Sequence, residues 1–363
     1  MKFLKIGIGF ILILVIYLLV WPVPINPQKW DAPTDAGYTG DFAPNENLAN
    51  LSRLDIGDIH GPEDVAARMI DGKLILFVSS QDGQIRTVDP ESETFEIFAQ
   101  TGGVPLGLEF DANDNLIIAD AYKGLLSVAP DGTVTVLTNS VADTPILYAD
   151  DLDIGPDGVI YFSDASTKFG AEAAGQTMAG SLLEIMEHGS TGRVLAYNPA
   201  DQSTHVIKTG LSFANGVAMA PDGMSILVNE TGTYRILRIW VDGPREGETD
   251  IVIDNLPGFP DNINRGPDGT YFVGLVSQRA PVLDEMADSP FMRKLIWRLP
   301  EAMKPAAENY GFVFQMDDSG NVLKTWQDPK GAYPLTTGAI APGDGWMYIS
   351  SLGADHLGRR PFP

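Results

Sequence analysis

Six residues of this chain stand at one register before a turn, and most of them are oxygen donors. Asp150 precedes Asp157-Gly158 by seven residues, and Asn215, Asp261 and Thr337 precede Asp222-Gly223, Asp268-Gly269 and Asp344-Gly345 by the same step. Glu63 precedes Asp71-Gly72 by eight residues, and Leu106 precedes Asp114-Asn115 by eight. In a radially closed repeat, equivalent positions form a ring about one axis. Glu63, Asp150 and Asp261 would then face Asn215 across a common point, with Asn262 beside them. This is the oxygen inventory that Ca2+ takes, and it contains no soft ligand. Without a cation, converging carboxylates repel one another and their pKa values rise. Asp and Asn at strand starts often only cap turns, which accounts for each residue singly but not for their shared register. Asp64 and Asp151 directly follow two ring residues. In extended geometry they would point the opposite way, and they are read as holders of a second cation deeper in the channel.

The elements that must position this ring are strands and turns. Short β-branched or aromatic runs such as Leu74–Val78, Val159–Phe162, Ile226–Val228 and Met347–Ile349 each follow a Gly- or Asn-bearing turn. Gly-Pro-Asp-Gly, at 155–158 and 266–269, is turn chemistry in which proline presets φ and glycine accepts φ > 0. Four strands per unit and six units predict an all-β, six-bladed β-propeller over 45–363. The strand around Leu51–Ile56 should close the last blade. Two units carry insertions, at about 167–192 and 279–309, and the second contains an amphipathic turn or two over Phe291–Arg298.

Composition excludes several functions. A formal net charge of −24 argues against nucleic acid, whose phosphates need Lys and Arg. The absence of cysteine removes disulfides, thiolate zinc sites and a Cys nucleophile together. The four histidines lack H-x-x-x-H spacing, and no Gly-x-Ser-x-Gly elbow occurs. At the N-terminus, Lys2 and Lys5 precede an apolar run from Ile6 to Val20, closed by Trp21-Pro22. Residues 1–24 are read as an uncleaved transmembrane signal-anchor; the rival is a cleaved signal peptide, against which the bulky, proline-stiffened Val20-Trp21-Pro22-Val23-Pro24 stands where cleavage wants small residues. Positive charge before the run places the N-terminus in the cytoplasm and the propeller outside, in the periplasm or another extracytoplasmic space. Residues 25–44 read as a Pro-rich spacer.

Several segments together resemble the strictosidine-synthase-like group of the gluconolactonase/paraoxonase propellers. They are Gly61-Pro62-Glu63-Asp64-Val65, Pro105-Leu106-Gly107-Leu108, Ala119–Leu126, Asp150–Asp153, Thr191-Gly192-Arg193, Ala214–Val217 and Leu256–Ile263. The resemblance covers essentially the whole chain. It implies a calcium-dependent hydrolase of lactones or aryl esters, with catalytic-calcium ligands at Glu63, Asp150, Asn215, Asp261 and Asn262 and a structural calcium at Asp64 and Asp151. Asp150 departs from the family's usual Asn and adds a negative charge. Leu106 replaces the paraoxonase histidine, so a His-dyad mechanism does not transfer. The stretch 336–345 holds no Glu, which argues against alkaloid condensation. On this reading Asp261 or Glu63 activates water or attacks directly, and Leu106, Tyr122, Phe213, Phe259 and Thr337 wall the substrate pocket. The rival expectation is a non-catalytic propeller stapled by its metal and used as a binding module.

Overall fold

A computed structural model describes residues 2–362; Met1 and Pro363, the outer ends of the expected anchor and propeller, lie outside the described residues. Six four-stranded antiparallel sheets, each joined strand to neighbouring strand, form the blades of a propeller. The innermost strands are Pro62–Ile70, Pro105–Phe110, Ala149–Ile154, Ala214–Met219, Gly258–Arg265 and Thr336–Ile340. Each packs against the next, and the sixth packs against the first. The last blade takes its outermost strand, Ser52–Leu54, from the other end of the sheet sequence, where it pairs with Leu357–Pro361. This closure removes a free sheet edge.

A β-bulge interrupts every innermost strand at the ring register. The register shifts fall between Pro62 and Val65, Pro105 and Leu108, Ala149 and Leu152, Ala214 and Val217, Pro260 and Ile263, and Thr336 and Ala339. A bulge adds a residue and re-aims side chains. The unpaired residues are therefore Glu63-Asp64, Leu106-Gly107, Asp150-Asp151, Asn215-Gly216, Asp261-Asn262 and Thr337-Gly338. The simple alternation expected for Asp64 and Asp151 does not hold, because the bulge breaks the period of two. Around the ring the second residue alternates between a polar side chain and glycine. A Cβ on Gly107 would stand 2.4 Å from Asp151 Oδ1 and 2.7 Å from Asp151 Cα. A Cβ on Gly338 would stand 2.4 Å from Asn264 Oδ1. Glycine in one blade makes room for the polar side chain of its neighbour.

Both insertions fold into helices over the face where the innermost strands begin. α1, introduced first in the chain, is Lys2–Val20; the third blade inserts α2 (Ala171–Ala174) and α3 (Thr177–Glu187), and the fifth inserts α4 (Pro281–Glu285) and α5 (Pro290–Trp297). α1 exposes Phe3, Ile6, Ile11 and Ile13. At 1.5 Å per residue it reaches about 28 Å, against roughly 30 Å of bilayer core. No helix among the described residues is long and apolar enough to cross a membrane, so the fold does not establish the transmembrane anchor read from the sequence.

The Pro-rich segment is extended, and it is sewn to the propeller rather than free. Gln28 N–H donates to Glu187 O at 2.8 Å, Arg279 to Pro33 O at 2.6 Å, and Asn255 to Thr34 O at 2.9 Å. The Trp30 ring stacks on buried His188 at 4.1 Å. Burial pushes the His188 imidazole down to about 3, so it stays neutral and serves as a packing surface.

The close approach at Gly107 predicts that Gly107→Ala destabilises the fold by about 1–3 kcal/mol, because the obstacle includes backbone. Thermal unfolding followed by circular dichroism should show a melting temperature lowered by several degrees. A melting curve identical to the unsubstituted protein would refute the close-packing account.

Candidate functional site

The ring residues come together at the floor of a capped cavity of about 100 Å³. Glu63, Asp150, Asn215 and Asp261 all line it, with Leu106, Phe213 and Phe259 from the expected wall. Their backbone is held by the bulged strand starts, and all four polar residues are buried. Asn262, wholly buried, donates through Nδ2 to Glu63 Oε1 at 2.9 Å. Asn215 Nδ2 donates to Asp261 Oδ1 at 2.6 Å. These two amide–carboxylate pairs tie the fourth blade to the fifth and the fifth to the first.

Two expected wall residues stand elsewhere. Tyr122 is absent from the cavity lining and points its hydroxyl toward Gly175 O, at 3.4 Å. Thr337 is buried behind the floor, donating to Glu63 O at 2.6 Å and hydrogen-bonded to Ser350 Oγ at 2.7 Å. The wall that sequence reasoning missed is largely α3, which contributes Thr177, Met178, Ser181, Leu182 and Ile185. Met178, Leu182 and Ile185 follow the i, i+4, i+7 spacing of an amphipathic helix, a signal available in the first insertion. Tyr148 completes this side, its hydroxyl 3.0 Å from Ser181 Oγ.

The electrostatics of the floor are severe. Burial, then the charges of Asp261 and Asp64, holds the Glu63 carboxyl well above the usual range. Burial, then Asp261 and Asp164, does the same to Asp150. Asp261 is pushed up to about 7 by burial, although the Asn215 amide favours its charged form. The floor also holds four buried oxygens with no hydrogen-bond partner: Glu63 Oε2, Asn215 Oδ1, Asp261 Oδ2 and Asn262 Oδ1. Unsatisfied buried oxygens are costly, and these belong to the residues whose register suggested a hard cation. The donor set fits such an ion in chemistry. It is a mixed set, however, and no group of three or more His, Cys, Asp or Glu side chains stands at metal-holding spacing among the described residues.

The pair read as a second cation site is engaged differently. Asp64 accepts from Leu108 N–H at 2.9 Å and from Asn264 Nδ2 at 3.0 Å. Asp151 accepts from Leu152 N–H and from Val217 N–H, each at 2.8 Å. Each carboxylate clasps its own blade to the next, and Asp153 repeats the device on Met219 N–H at 2.7 Å. Burial nevertheless raises Asp64 to about 6 and Asp153 to about 7.

These shifts give a signed prediction for the protein in chelator. Unfolded Asp ionises near pH 4, whereas folded Asp64, Asp153 and Asp261 ionise at about 6, 7 and 7. Their contribution to stability is fully present below the unfolded value and is lost as pH rises through the folded ones. The melting temperature in chelator should therefore fall between about pH 4.5 and 7.5, with a shallower fall in Asp261→Asn. Equal slopes for the two proteins would contradict the buried-carboxylate account.

Comparison with known proteins agrees with this geometry. The strictosidine synthase family profile matches residues 150–244, and the strictosidine synthase-like N-terminal profile matches residues 40–87. Strictosidine synthase-like protein 13 of Arabidopsis thaliana is 33% identical over 291 residues, spanning 78% of this chain and 68% of that protein. The adipocyte plasma membrane-associated protein of Rattus norvegicus is 31% identical over 376 residues, spanning 97% and 96%. Among solved structures, a gluconolactonase from Xanthomonas campestris superposes with a TM-score of 0.62 at 16% identity, covering 95% of this chain and 99% of that one. Regucalcin from Agrobacterium tumefaciens, a calcium-binding protein, superposes with a TM-score of 0.56 at 14% identity, covering 82% and 85%. The bulged, closed ring of blades and the extent of these matches lead to one conclusion: the chain belongs to the strictosidine synthase-like family of six-bladed propellers.

Proposed function

We propose that the protein is a calcium-dependent hydrolase of lactones or aryl esters that works at the floor of the capped cavity. The observation that carries this reading is the set of four unpartnered oxygens, from Glu63, Asn215, Asp261 and Asn262, beneath an apolar wall. Glu63, Asp150, Asn215, Asp261 and Asn262 would hold the cation. Once bound it supplies Lewis-acid polarisation of a carbonyl. The remaining work belongs to the chain. Leu106, Tyr148, Phe213, Phe259 and the α3 side chains exclude water and seat the organic part of the substrate. Asp261, or Glu63 opposite, takes the proton from water or attacks the carbonyl. The bulge fixes both carboxylates on rigid strand starts, so their orientation costs little at the moment of reaction.

A second reading has its own observation. The Asn215–Asp261 and Asn262–Glu63 hydrogen bonds already join three blades, which suits a cation used as a staple in a binding propeller. Asp261→Asn separates the two. It retains an oxygen ligand, so calcium binding by calorimetry should persist while hydrolysis of the best ester or lactone falls by about 10²-fold. Equal rates would remove Asp261 from the chemistry. A protein that binds calcium and hydrolyses nothing in a broad panel would favour the staple.

We also propose that α1 holds the propeller at a membrane, with the N-terminus cytoplasmic and the propeller outside. Support comes from its exposed apolar surface and from its fixture to the propeller. Arg298 donates to Trp21 O at 2.6 Å and to Leu18 O at 3.0 Å, and Tyr17 Oη donates to Arg298 O at 3.1 Å. Trp21 is exposed and sits where an interfacial aromatic would. The full chain should float with phosphatidylcholine vesicles in a density gradient after a carbonate wash. A chain lacking residues 1–22 should stay at the bottom. Equal flotation of the two would defeat the anchor.

A further inference from the structure

The axial ring lies between two cavities of opposite character. All six innermost strands run in the same direction, because each opens its blade, so their starts share one face and their ends share the other. The starts floor the capped apolar cavity. The ends surround an open cavity of about 840 Å³, whose wall includes Asp64, Glu109, Asp151, Asp153, Asn264 and Arg265. The partition is one residue thick: Glu63 lines the capped cavity and Asp64 the open one, and Asp150 and Asp151 divide in the same way. Gly107 and Gly338 place no side chain across it.

We propose that the ring exchanges its divalent cation through the open acidic mouth, with Arg265 as the gate. This rests on the cation reading above. A hydrated cation passing the other way would have to shed water in a mouth walled mainly by Met178, Leu182, Ile185, Leu283 and Ala306, where only neutral groups such as Thr177, Ser181 and Gln278, and no carboxylate above the floor, could replace the lost oxygens. On the open side, carboxylates succeed one another from the mouth inward: Glu109 and Asp153, each three residues past its ring position, then the buried Asp64 and Asp151. Asn264 Oδ1, buried without a partner, stands beside Asp64. Arg265 bridges Asp153 at 3.0 Å and Glu109 at 3.4 Å, with its side chain 47% exposed. Its guanidinium screens the funnel and repels an approaching cation. Because the side chain is half in solvent, it can swing out without breaking the core. The gate governs rate in both directions and leaves equilibrium affinity nearly unchanged.

Calcium release from the full chain in detergent micelles, captured by a fluorescent chelator in stopped flow, tests this. Arg265→Gln should release and take up calcium roughly tenfold faster, with little change in the dissociation constant. Arg265→Lys should restore the slow rates, which a merely structural loss would not allow. Ala306→Trp, which crowds the capped mouth, should leave both calcium rates unchanged while slowing hydrolysis. Calcium rates indifferent to Arg265→Gln, or slowed by Ala306→Trp, would overturn the gate alone. Failure of the unsubstituted protein to bind calcium at all would overturn the cation reading and the gate with it.

Discussion

Concentrated negative charge buried on the propeller axis is the constraint to which the rest of the structure answers. Glu63, Asp64, Asp150, Asp151, Asp153 and Asp261 are all withdrawn from water near one line. Only Asp153 meets a guanidinium, through Arg265. Burying so many carboxylates together is unfavourable unless each finds donors or a cation. The bulges answer half of the demand. By leaving two consecutive residues unpaired in each innermost strand, they let Glu63 and Asp150 serve the ring while Asp64 and Asp151 clasp the neighbouring blades. The clasps are charge-assisted hydrogen bonds from backbone N–H groups, the stronger sort. What they cannot satisfy are the four oxygens of the ring itself, and that residue of unmet bonding is the chemical content of the site.

The caps over the ring depend on a different set of contacts, centred on buried arginines. Arg279, stacked over Tyr234 at 4.1 Å, joins Asp284 of α4 to the N-terminal strap at Pro33. Arg293 of α5 donates to the carbonyls of Gln28, Met186 and Ala287, and so joins strap, α3 and α5. Arg298, at the end of the same helix, fastens the last turn of α1. Guanidinium suits this work because its fixed donors reach several carbonyls at once and its charge is retained when buried. The consequence is mechanical. α1, the strap and both insertions form one connected cap that includes the α3 wall of the capped cavity. A free spacer would have decoupled them.

Turn chemistry made the ring legible before the fold was known. Asp150, Asn215 and Asp261 could be placed by counting back from an Asp-Gly, because hairpin geometry fixes the distance from turn to strand start. The bulge was not legible, because it inserts its extra residue without any turn signal of its own. Its trace lies in the residue after each ring position: Asp64, Gly107, Asp151, Gly216, Asn262 and Gly338 alternate polar with glycine around the axis. Without the ring in view, those glycines read as ordinary strand breakers. Tyr122 was misplaced for a related reason. It follows Asp120, whose carboxylate accepts the N–H groups of Tyr122 and Lys123 in a tight turn, and its ring packs behind the wall against the cluster of Leu106 and Phe213 rather than lining the cavity. Thr337 does stand at the ring register, but its hydroxyl is consumed by Glu63 O and Ser350. The α3 wall escaped because tertiary packing, not local propensity, brings an insertion over the channel.

The distribution of likeness among known proteins follows from the same physics. Propellers of about 15% identity superpose over most of their length, because blade packing asks only for apolar alternation and turns. Such a scaffold says nothing by itself about chemistry. In this chain the discriminating features are few and local. Leu106 puts an apolar side chain where the ring could have carried a sixth polar group, and Asp150 adds a third carboxylate. The first change lowers the polarity of the cavity wall; the second raises the charge of its floor. Together they steepen the contrast between the two across a few ångströms. On the proposed reading, such a contrast suits a ligand with an apolar body and a polarisable oxygen that meets the floor. Under the proposed hydrolase function, an ester or lactone carbonyl on a hydrophobic frame has that form, with Leu106, Phe213 and Leu182 against its apolar part.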